Sequence, residues 1–272
     1  MPAVAVQSWS LHRALGRPVA PGSFPWPGGM AEHRGDGLDL LELPGQLRQH
    51  GYDAVQLCHF QLPSRSAAYL AELRSALEGA GIALDALLLD TGDLASPEVG
   101  DEVETWVAGW IDDAVALGAA RIRVVGGRQA PSLAAITASA TRFRRLADAA
   151  PGIRVVTENW HELLATPDAV LSFLEQTEGR VGLLIDLGNW SGPTRHADLA
   201  RIARFAETCH AKCHVTADGT ALDAADYSAA LRVLADAGFD GTLALVFEGP
   251  GDDAWAGMAA ERAIVRRVFP GV

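Results

Sequence analysis

The strongest constraint on this fold is an alternation of two kinds of segment, which runs along the 272 residues without a linker. Short runs rich in β-branched residues are followed by longer stretches whose apolar residues recur at helical spacing. Strands separated by helices favour a parallel sheet, because a parallel connection needs a long crossover. We predict eight strands, at Ala3–Ser8, Asp53–Cys58, Leu84–Leu89, Arg121–Val125, Arg154–Glu158, Gly182–Asp186, Cys209–His214 and Thr242–Phe247.

The stretches between these strands predict helices, several of which end at a glycine just before the next strand. Glycine supplies the left-handed backbone that stops a helix. Eight such units close most naturally into one (β/α)₈ TIM barrel domain over residues 1–272, with its helices outside. The helices include Ala67–Ala80, Glu102–Leu117, Leu133–Ala149, Asp168–Gln176 and Ala224–Ala237.

The alternative fold is a doubly wound open sheet, which would carry a glycine-rich phosphate loop after its first strand. The sequence has Ser8-Trp9-Ser10-Leu11-His12 there instead. The following segment, Gly16–Gly37, is rich in Pro and Gly and breaks the regular pattern. In a barrel it would lie over the face where active sites are built, so we interpret it as a lid or pocket wall, with an irregular surface loop as the alternative.

Charge and hydropathy exclude several classes of partner. The formal net charge of −12 opposes binding to a phosphate backbone, which needs clustered Lys and Arg. No apolar stretch approaches the roughly 20 residues that span a bilayer, and the first residues do not resemble a signal peptide. We therefore expect a cytoplasmic protein that binds neither nucleic acid nor membrane.

The three cysteines, Cys58, Cys209 and Cys213, are an odd number and suit a reducing compartment. The spacing of Cys209 and Cys213 is compatible with zinc ligands. Alternating side chains on a strand would equally place both on one face as ordinary core, and we prefer that interpretation.

Polar residues stand where four consecutive predicted strands end, which is where barrel enzymes place their working side chains. Glu158, Asp186, His210 and Glu248 come from the fifth to eighth strands in turn. Each alone has an ordinary explanation, since a strand-end Asp often caps a turn and a lone His is usually core. Acids that converge at one barrel mouth would repel one another without a cation. We therefore predict one divalent metal ion, Mn²⁺, Mg²⁺ or Co²⁺, held by these four residues.

These residues resemble the xylose isomerase-like barrels, which include tagatose and psicose epimerases, hydroxypyruvate isomerase, inosose dehydratase and the endonuclease IV repair enzymes. Glu158 and Glu248 match the family's strand-end glutamates. Asp186-x-Gly-Asn189 is similar to its Asp-x-Gly-His or Asp-x-Gly-Asn element, and His210-x-Lys212 is similar to its His-x-Lys-Asp element. The resemblance spans essentially the whole chain.

The chain departs from the family pattern at two positions. Cys213 stands where the family often has an aspartate, which removes a partner of Lys212. Gln56 stands where many members carry a glutamate, so any role that members give to that acid is in doubt here.

The resemblance implies that the metal chelates a substrate carbonyl oxygen and the neighbouring hydroxyl, which stabilises an enediolate. Glu158 and Glu248 would then carry protons on opposite faces in an epimerase, or one of them would shuttle a proton in an isomerase. Asp186 and His210 would be mainly ligands. Lys212 would hold a substrate or ligand oxygen, or alternatively pair with a rim acid.

Four aromatic or imidazole side chains beyond strand ends are candidates to contact a sugar-like substrate: Trp9, His12, His59 and His161. The alternatives are that Trp9 plugs the barrel and that His161 is exposed at a helix start. His214 is a weaker ligand candidate. For Asp90 and Asp93 we prefer a turn closed by their own side chains.

The predicted function is therefore a metal-dependent isomerase or epimerase of a small sugar or polyhydroxy carbonyl compound. One alternative is a lyase or dehydratase that acts on an oxidised sugar or glycoside through the same site. Phosphodiester cleavage would need more histidines and a basic groove. A non-catalytic sugar-binding barrel is the remaining alternative. A separate expectation concerns assembly: because members of this family often pair subunits, the resemblance implies a homo-oligomer.

Overall fold

Eight parallel strands close into a barrel in chain order, with β8 hydrogen-bonded back to β1, in a computed structural model of the chain. The structure describes residues 2–15, 37–251 and 253–272. The (β/α)₈ TIM barrel predicted from the sequence is confirmed. The strands are β1 Ala3–Gln7, β2 Ala54–Cys58, β3 Ala83–Leu88, β4 Arg121–Arg123, β5 Arg154–Glu158, β6 Gly182–Asp186, β7 Ala206–Lys212 and β8 Thr242–Val246.

A helix follows every strand, although a 3₁₀ helix intervenes after β1 and β2, at Ser8–Leu11 and His59–Gln61. Side-chain caps explain where several helices begin, because Ser66, Ser132 and Thr166 each accept a hydrogen bond from the amide three residues on. The helices are α1 Leu43–Gln49, α2 Ala67–Ala80, α3 Gly100–Leu117, α4 Leu133–Ala149, α5 Pro167–Thr177, α6 Arg195–Ile202, α7 Ala224–Asp236 and α8 Ala254–Val268.

Two strand predictions differ noticeably from the structure. β4 stops at Arg123, two residues early, and β7 begins at Ala206 and ends at Lys212, instead of running over Cys209–His214. The start of β7 has one small apolar residue, Ala206, followed by the polar Glu207 and Thr208, so its apolar signal is weak, yet its backbone pairs with β6 from Ala206 onward. Pairing of backbone groups therefore extends a strand beyond its hydrophobic pattern.

The core lies between the barrel and its helices. Along α3, the buried residues Val103, Val107, Trp110, Ala114 and Leu117 recur at helical spacing and form the inward face. Fully burying one such large apolar side chain stabilises the fold by about 1.5–3 kcal/mol. In the described parts of the chain, no helix combines the length and the apolar character needed to cross a bilayer.

Two further predictions concern the segment Gly16–Gly37 and the cysteines Cys209 and Cys213. The predicted lid, Gly16–Gly37, lies outside the described residues except for Gly37. Cys209 and Cys213 are buried as free thiols in the main apolar cluster, as expected for core residues. Among described residues, neither belongs to a group with metal-binding geometry.

Candidate active site

A cavity of about 310 Å³ opens at the carboxyl ends of the strands. Its size suits a small molecule, and its lining mixes aromatic rings with many charged groups. The residues that line it are Gln7, Trp9, Cys58, Phe60, Asp90, Arg123, Arg128, Glu158, Trp160, His161, Asp186, Asn189, His210, Lys212, Val246 and Glu248.

Asp186 ends β6 with its carboxylate fixed by the turn that follows. Its Oδ1 accepts hydrogen bonds from the backbone amides of Gly188 at 2.6 Å and Asn189 at 2.8 Å. The side chain of Asn159 holds the same strand end, since it accepts from the Asp186 amide at 2.7 Å and donates to the Asp186 carbonyl at 3.0 Å. Oδ2 of Asp186 therefore remains directed towards His210, 3.4 Å from its Nδ1.

Glu158 ends β5 beside Asp186 and is almost completely buried. Its Oε1 accepts a hydrogen bond from Asn189 Nδ2 at 2.7 Å, and its Oε2 lies 3.1 Å from Nε of Arg123 as an ion pair. Burial raises the pKa of Glu158, but Arg123 and His210 outweigh it and lower the pKa to about 2. Glu158 is thus a fixed carboxylate and a weak base.

His210 on β7 faces both acids through one ring nitrogen. Its Nδ1 lies 3.4 Å from Glu158 Oε1 and 3.4 Å from Asp186 Oδ2. Burial lowers the pKa of His210, but the two carboxylates outweigh burial and raise the pKa to about 9. At neutral pH the metal-free protein therefore holds a proton on His210, between the two carboxylates. A bound metal cation would neutralise the same two carboxylates in its place.

A buried polar chain across the barrel interior holds the other ring nitrogen of His210. Its Nε2 lies 2.9 Å from Oε1 of Gln56, and Gln56 Nε2 donates to Asp85 Oδ2 at 2.7 Å. Asp85 in turn accepts from Arg121 at 2.6 Å and Thr242 at 2.8 Å. Because the Gln56 amide nitrogen is committed to Asp85, its oxygen must accept from His210, which leaves Nδ1 for the cavity.

The three residues fit a divalent cation. One ligand atom from each of Glu158, Asp186 and His210 lies within 4.8 Å of the others, and all three residues are buried. Bond lengths of about 2.0–2.2 Å place neighbouring ligand atoms about 3 Å apart, so only a small contraction of the 3.4 Å separations is required. Two carboxylates and one imidazole suit Mn²⁺, Mg²⁺ or Co²⁺.

Glu248 follows β8 but points elsewhere in this structure. Its Oε2 lies 2.7 Å from Nζ of Lys212, and its Oε1 accepts from Trp9 Nε1 at 3.0 Å. The side chain is 39% exposed, whereas the three clustered residues are buried. The structure thus brings together three of the four predicted ligands, and the role of Glu248 as the fourth stays a prediction. For Lys212 it shows the alternative arrangement, a pair with a rim acid.

The family model described as xylose isomerase-like TIM barrel matches residues 45–267. The chain belongs to this family. Among functionally curated proteins, none matches the chain significantly.

Solved structures of xylose isomerase-like barrels share the fold at low sequence identity. A xylose isomerase-like protein from Mycobacterium smegmatis in complex with magnesium is 19% identical with a TM-score of 0.68, over 98% of this chain and 96% of that one. D-psicose 3-epimerase from Clostridium cellulolyticum H10 with D-tagatose is 14% identical with a TM-score of 0.66, over 98% and 95%. A probable 3-DHS dehydratase from Bacillus anthracis is 14% identical with a TM-score of 0.67, over 97% and 98%.

Of the predicted substrate contacts, Trp9 and His161 line the cavity of this xylose isomerase-like barrel, whereas His59 and His12 do not. His59 is buried behind the wall, edge-on to Trp106 and Trp110, with Nδ1 3.2 Å from the Leu88 carbonyl. The 3₁₀ turn after β2 rotates it into the layer between barrel and helices.

The remaining weaker candidates are also placed by the fold. His12 stacks on Trp9, with ring centroids 4.2 Å apart, and lies outside the cavity. His214 is turned towards the Gly188 carbonyl at 2.9 Å. Asp93 closes its own turn by accepting from the Ala95 amide, as preferred from the sequence. Asp90 instead lines the cavity and pairs with Arg123.

His161 has an unusual backbone for a non-glycine residue. Its φ of 56° lies in the left-handed region, which disfavours a residue with a β-carbon by roughly 1–2 kcal/mol. Its ring stacks on Trp160 at 4.0 Å. Such strain persists only where surrounding contacts fix it, and it is common at functional sites.

Several lining residues were not predicted from the sequence, among them Arg123, Arg128 and Trp160. Gln56 stood out only as a departure from the family pattern, and its supporting role was not predicted. Arg123 is only 1% exposed, and it pairs with Asp90 and Glu158 while donating to the Leu89 carbonyl at 2.6 Å. An arginine between two buried apolar residues, Ile122 and Val124, was the available signal, because it must find partners when buried. No local sequence pattern predicts that Arg128 or Trp160 lines the cavity.

Proposed function

We propose that this chain is a divalent-metal-dependent isomerase or epimerase of a small sugar or polyhydroxy carbonyl compound. The observation that carries this proposal is the convergence of Glu158, Asp186 and His210 at one point of a cavity that also contains Glu248. The family includes structures of this fold named as sugar epimerases, such as D-psicose 3-epimerase, which supports the same class of reaction.

The chemistry divides between buried and exposed acids. A bound divalent cation would supply a Lewis acid that stabilises negative charge on the substrate's carbonyl and neighbouring hydroxyl oxygens. Glu158 and Asp186 contribute fixed charge, since hydrogen bonds and Arg123 hold them in one position. A carboxylate with a pKa near 2 is poorly suited to accept a proton, so Glu158 serves mainly as a ligand.

Glu248 is the better proton carrier. It is the more exposed carboxylate, and it stands at the cavity edge between Lys212 and Trp9, which orient its two oxygens. Removal of a carbon-bound proton by Glu248 and its return to the adjacent carbon, together with transfer of the neighbouring hydroxyl proton to the former carbonyl oxygen, gives aldose–ketose isomerisation. Return of the proton on the other face, as epimerisation needs, requires a second proton carrier. The low pKa of Glu158 weighs against that acid, so isomerisation through Glu248 alone is the simpler reaction.

The test is solvent exchange at carbon. The metal-stripped protein is reloaded with Mn²⁺, Mg²⁺ or Co²⁺ in D₂O and incubated with a panel of ketoses and aldoses, and deuterium at the carbon next to the carbonyl is followed by NMR. We expect exchange together with formation of an isomer. A fully loaded, folded protein that exchanges no substrate proton across the panel contradicts the proposal.

Two matched variants separate the proposed roles. Glu248→Gln should abolish exchange while leaving metal binding within about threefold, because it removes the base and not a buried ligand. Glu158→Gln should weaken both metal binding and exchange. Glu72→Gln on the exposed face of α2 is the control and should change neither. Full exchange in Glu248→Gln would rule out Glu248 as the base.

A second candidate function is elimination, as in a lyase or dehydratase that acts on an oxidised sugar or glycoside. The pairing of Lys212 with Glu248 favours it, since an ammonium next to the base can protonate a leaving group. A structure of the same fold is named as a probable 3-DHS dehydratase. Release of water or an aglycone, in place of an isomer, would distinguish this reaction.

A non-catalytic sugar-binding barrel is the remaining alternative. It would predict that Glu158→Gln and Glu248→Gln bind sugar as the wild-type protein does and that no variant changes a turnover rate. The burial of two acids and a histidine around one point argues against it, because that arrangement is unfavourable without a cation or proton to hold.

A further inference from the structure

One wall of the cavity is built from three residues that the proposed metal site does not use: Arg128, Trp160 and His161. Arg128 lies in the turn after β4, and Trp160 and His161 follow β5. These residues line the same cavity, the rings of Trp160 and His161 stack on each other, and the pKa of His161 is lowered by burial and by the charge of Arg128. We call them the Arg128 wall.

Arg128 is a cation without an anion. No ion pair among residues 2–15, 37–251 and 253–272 includes it, and its Nε is buried without a hydrogen-bond acceptor. An arginine guanidinium is a cation that carries five N–H donors. A buried, charged donor that faces a cavity without an acceptor is normally satisfied by what enters the cavity.

His161 presents a second unused polar atom to the same space. Its Nε2 is buried and has no hydrogen-bond partner in the described structure. Burial, together with the charges of Arg128 and Arg123, lowers the pKa of His161 to about 4, so the ring is neutral at physiological pH. A neutral imidazole can donate one hydrogen bond to an anion. Because it carries no charge, it needs no acidic partner in the protein.

The other charges of the cavity are committed to one another. Arg123 pairs with Asp90 and Glu158, and Lys212 pairs with Glu248. Four carboxylates and three cationic side chains belong to the described lining, so a divalent cation leaves one net positive charge. The unpaired part of that charge is on Arg128, and it suits a ligand with a single negative charge.

We infer that Arg128 and His161 bind a carboxylate of the substrate, so that the natural substrate is a sugar acid or other polyhydroxy acid and not a neutral sugar. The inference rests on the proposed function for the reacting carbons, which would lie at the metal site while the acid group lies at the Arg128 wall. A planar carboxylate matches the guanidinium fork, and its single charge matches the cavity better than a phosphate does.

The experiment compares probes that differ only in charge. Binding of D-glucuronate and D-glucuronamide, and of the shorter pair glycerate and glyceramide, is measured by calorimetry on the Mg²⁺-loaded full-length protein. We expect at least one acid to bind about tenfold or more tightly than its amide. Arg128→Gln should reduce that preference to about threefold or less while leaving amide binding unchanged.

Arg232→Gln is the matched control, since Arg232 is exposed on α7 and its loss changes the net charge equally. It should keep the full preference for the acid. His161→Asn, which tolerates a left-handed backbone, should lower acid binding in the same direction as Arg128→Gln. Circular dichroism and a retained metal affinity show that each variant is folded.

Three results would overturn the inference: equal binding of acid and amide in both pairs, a preference that survives in Arg128→Gln, or glucose 6-phosphate binding more tightly than glucuronate. The outcome is separable from that of the proposed function. Acid-selective binding that depends on Arg128, without any proton exchange, would defeat the isomerase and keep the subsite. Exchange on neutral sugars with no preference for acids would defeat the subsite and keep the isomerase.

Discussion

The side-chain carbonyl oxygen of Gln56 lies 2.9 Å from Nε2 of His210, although 154 residues separate them in the chain. Gln56 is fully buried, and its amide group donates to Asp85 and to Thr208. These bonds fix which end of the amide faces the histidine and therefore which nitrogen of His210 faces the two acids. Gln56, which departs from the family pattern, thus supports the candidate metal site by fixing the orientation of His210.

The first prediction concerns this support. Replacing Gln56 with Leu removes the acceptor for His210 Nε2 and frees the ring to rotate, so divalent-metal affinity should fall about 10- to 100-fold. Calorimetric titration with Mn²⁺ measures the change. Gln61→Leu, at another buried glutamine that donates to a backbone carbonyl, controls for core disruption. Wild-type affinity in a folded Gln56→Leu protein would show that His210 needs no such orientation.

The second prediction is a pH dependence that originates at His210. Its pKa of about 9 in the folded, metal-free protein exceeds the unfolded value of about 6.5. The protonated ring therefore contributes stability that is fully present below about pH 6.5 and is lost as pH rises through about 9. Metal binding must displace this proton, so metal affinity should increase with pH across the same interval.

Calorimetry in buffers of different ionisation enthalpy counts the released protons, and we expect a number approaching one at pH 7. His210→Asn should abolish both the proton release and the alkaline loss of thermal stability. Metal affinity that does not change between pH 6.5 and pH 9 would contradict this assignment.

The third prediction concerns Arg123, which joins β4 to two acids of the cavity. Arg123→Met leaves Asp90 and Glu158 buried without their cation, and removing one partner of a buried pair destabilises by about 3–5 kcal/mol. Urea unfolding measures the loss. Arg144→Met breaks an exposed pair with Glu178 and should change stability by less than about 1 kcal/mol. Equal effects of the two substitutions would show that Arg123 is not a structural cation.

The fourth prediction concerns Glu261 on α8, which is fully buried and whose carboxylate oxygens make no well-formed hydrogen bond within the described structure. Burial raises the pKa of Glu261 well above its ordinary value and outweighs the backbone of Cys213, which lowers the pKa as a weak donor. The protonated form therefore contributes stability that is present below the unfolded pKa and is lost as pH rises through the folded pKa. Glu261→Gln should raise the melting temperature at pH 8 and have a much smaller effect near pH 4.

Glu72→Gln, an exposed change of the same chemistry on α2, should leave the melting temperature unchanged at both pH values. Thermal unfolding followed by circular dichroism measures all three proteins. A melting temperature of Glu261→Gln below that of the wild type at pH 8 would mean that the ionised carboxylate is stabilised by contacts other than those described.

Much of the fold was predictable because its signals are local. β5 and β6 begin and end where the sequence places them, since each is a short apolar run that stops at an acid. β7 was misplaced by three residues at its start because its first residues are held by backbone pairing and carry only a weak apolar signal. The same limit hides the 3₁₀ turn that removes His59 from the cavity.

The candidate site was predictable to a lesser extent. Strand ends identified Glu158, Asp186 and His210, because parallel strands of a barrel bring their carboxyl ends to one rim. The same logic included Glu248, but its conformation depends on Lys212 and Trp9, each of which holds one of its oxygens. The position of a half-exposed side chain at a strand end does not predict which neighbours it contacts.

The sequence by itself determined the eight-unit barrel and the rim on which its acids stand, because hydrophobic period and strand-end position are properties of neighbouring residues. Only the tertiary structure decided that Gln56 orients His210, that Arg123 neutralises Glu158, and that Arg128 lines the cavity without an ion-pair partner among the described residues. Those relationships depend on side chains from strands far apart in the chain meeting at fixed distances. Burial then makes each pairing, or its absence, energetically decisive.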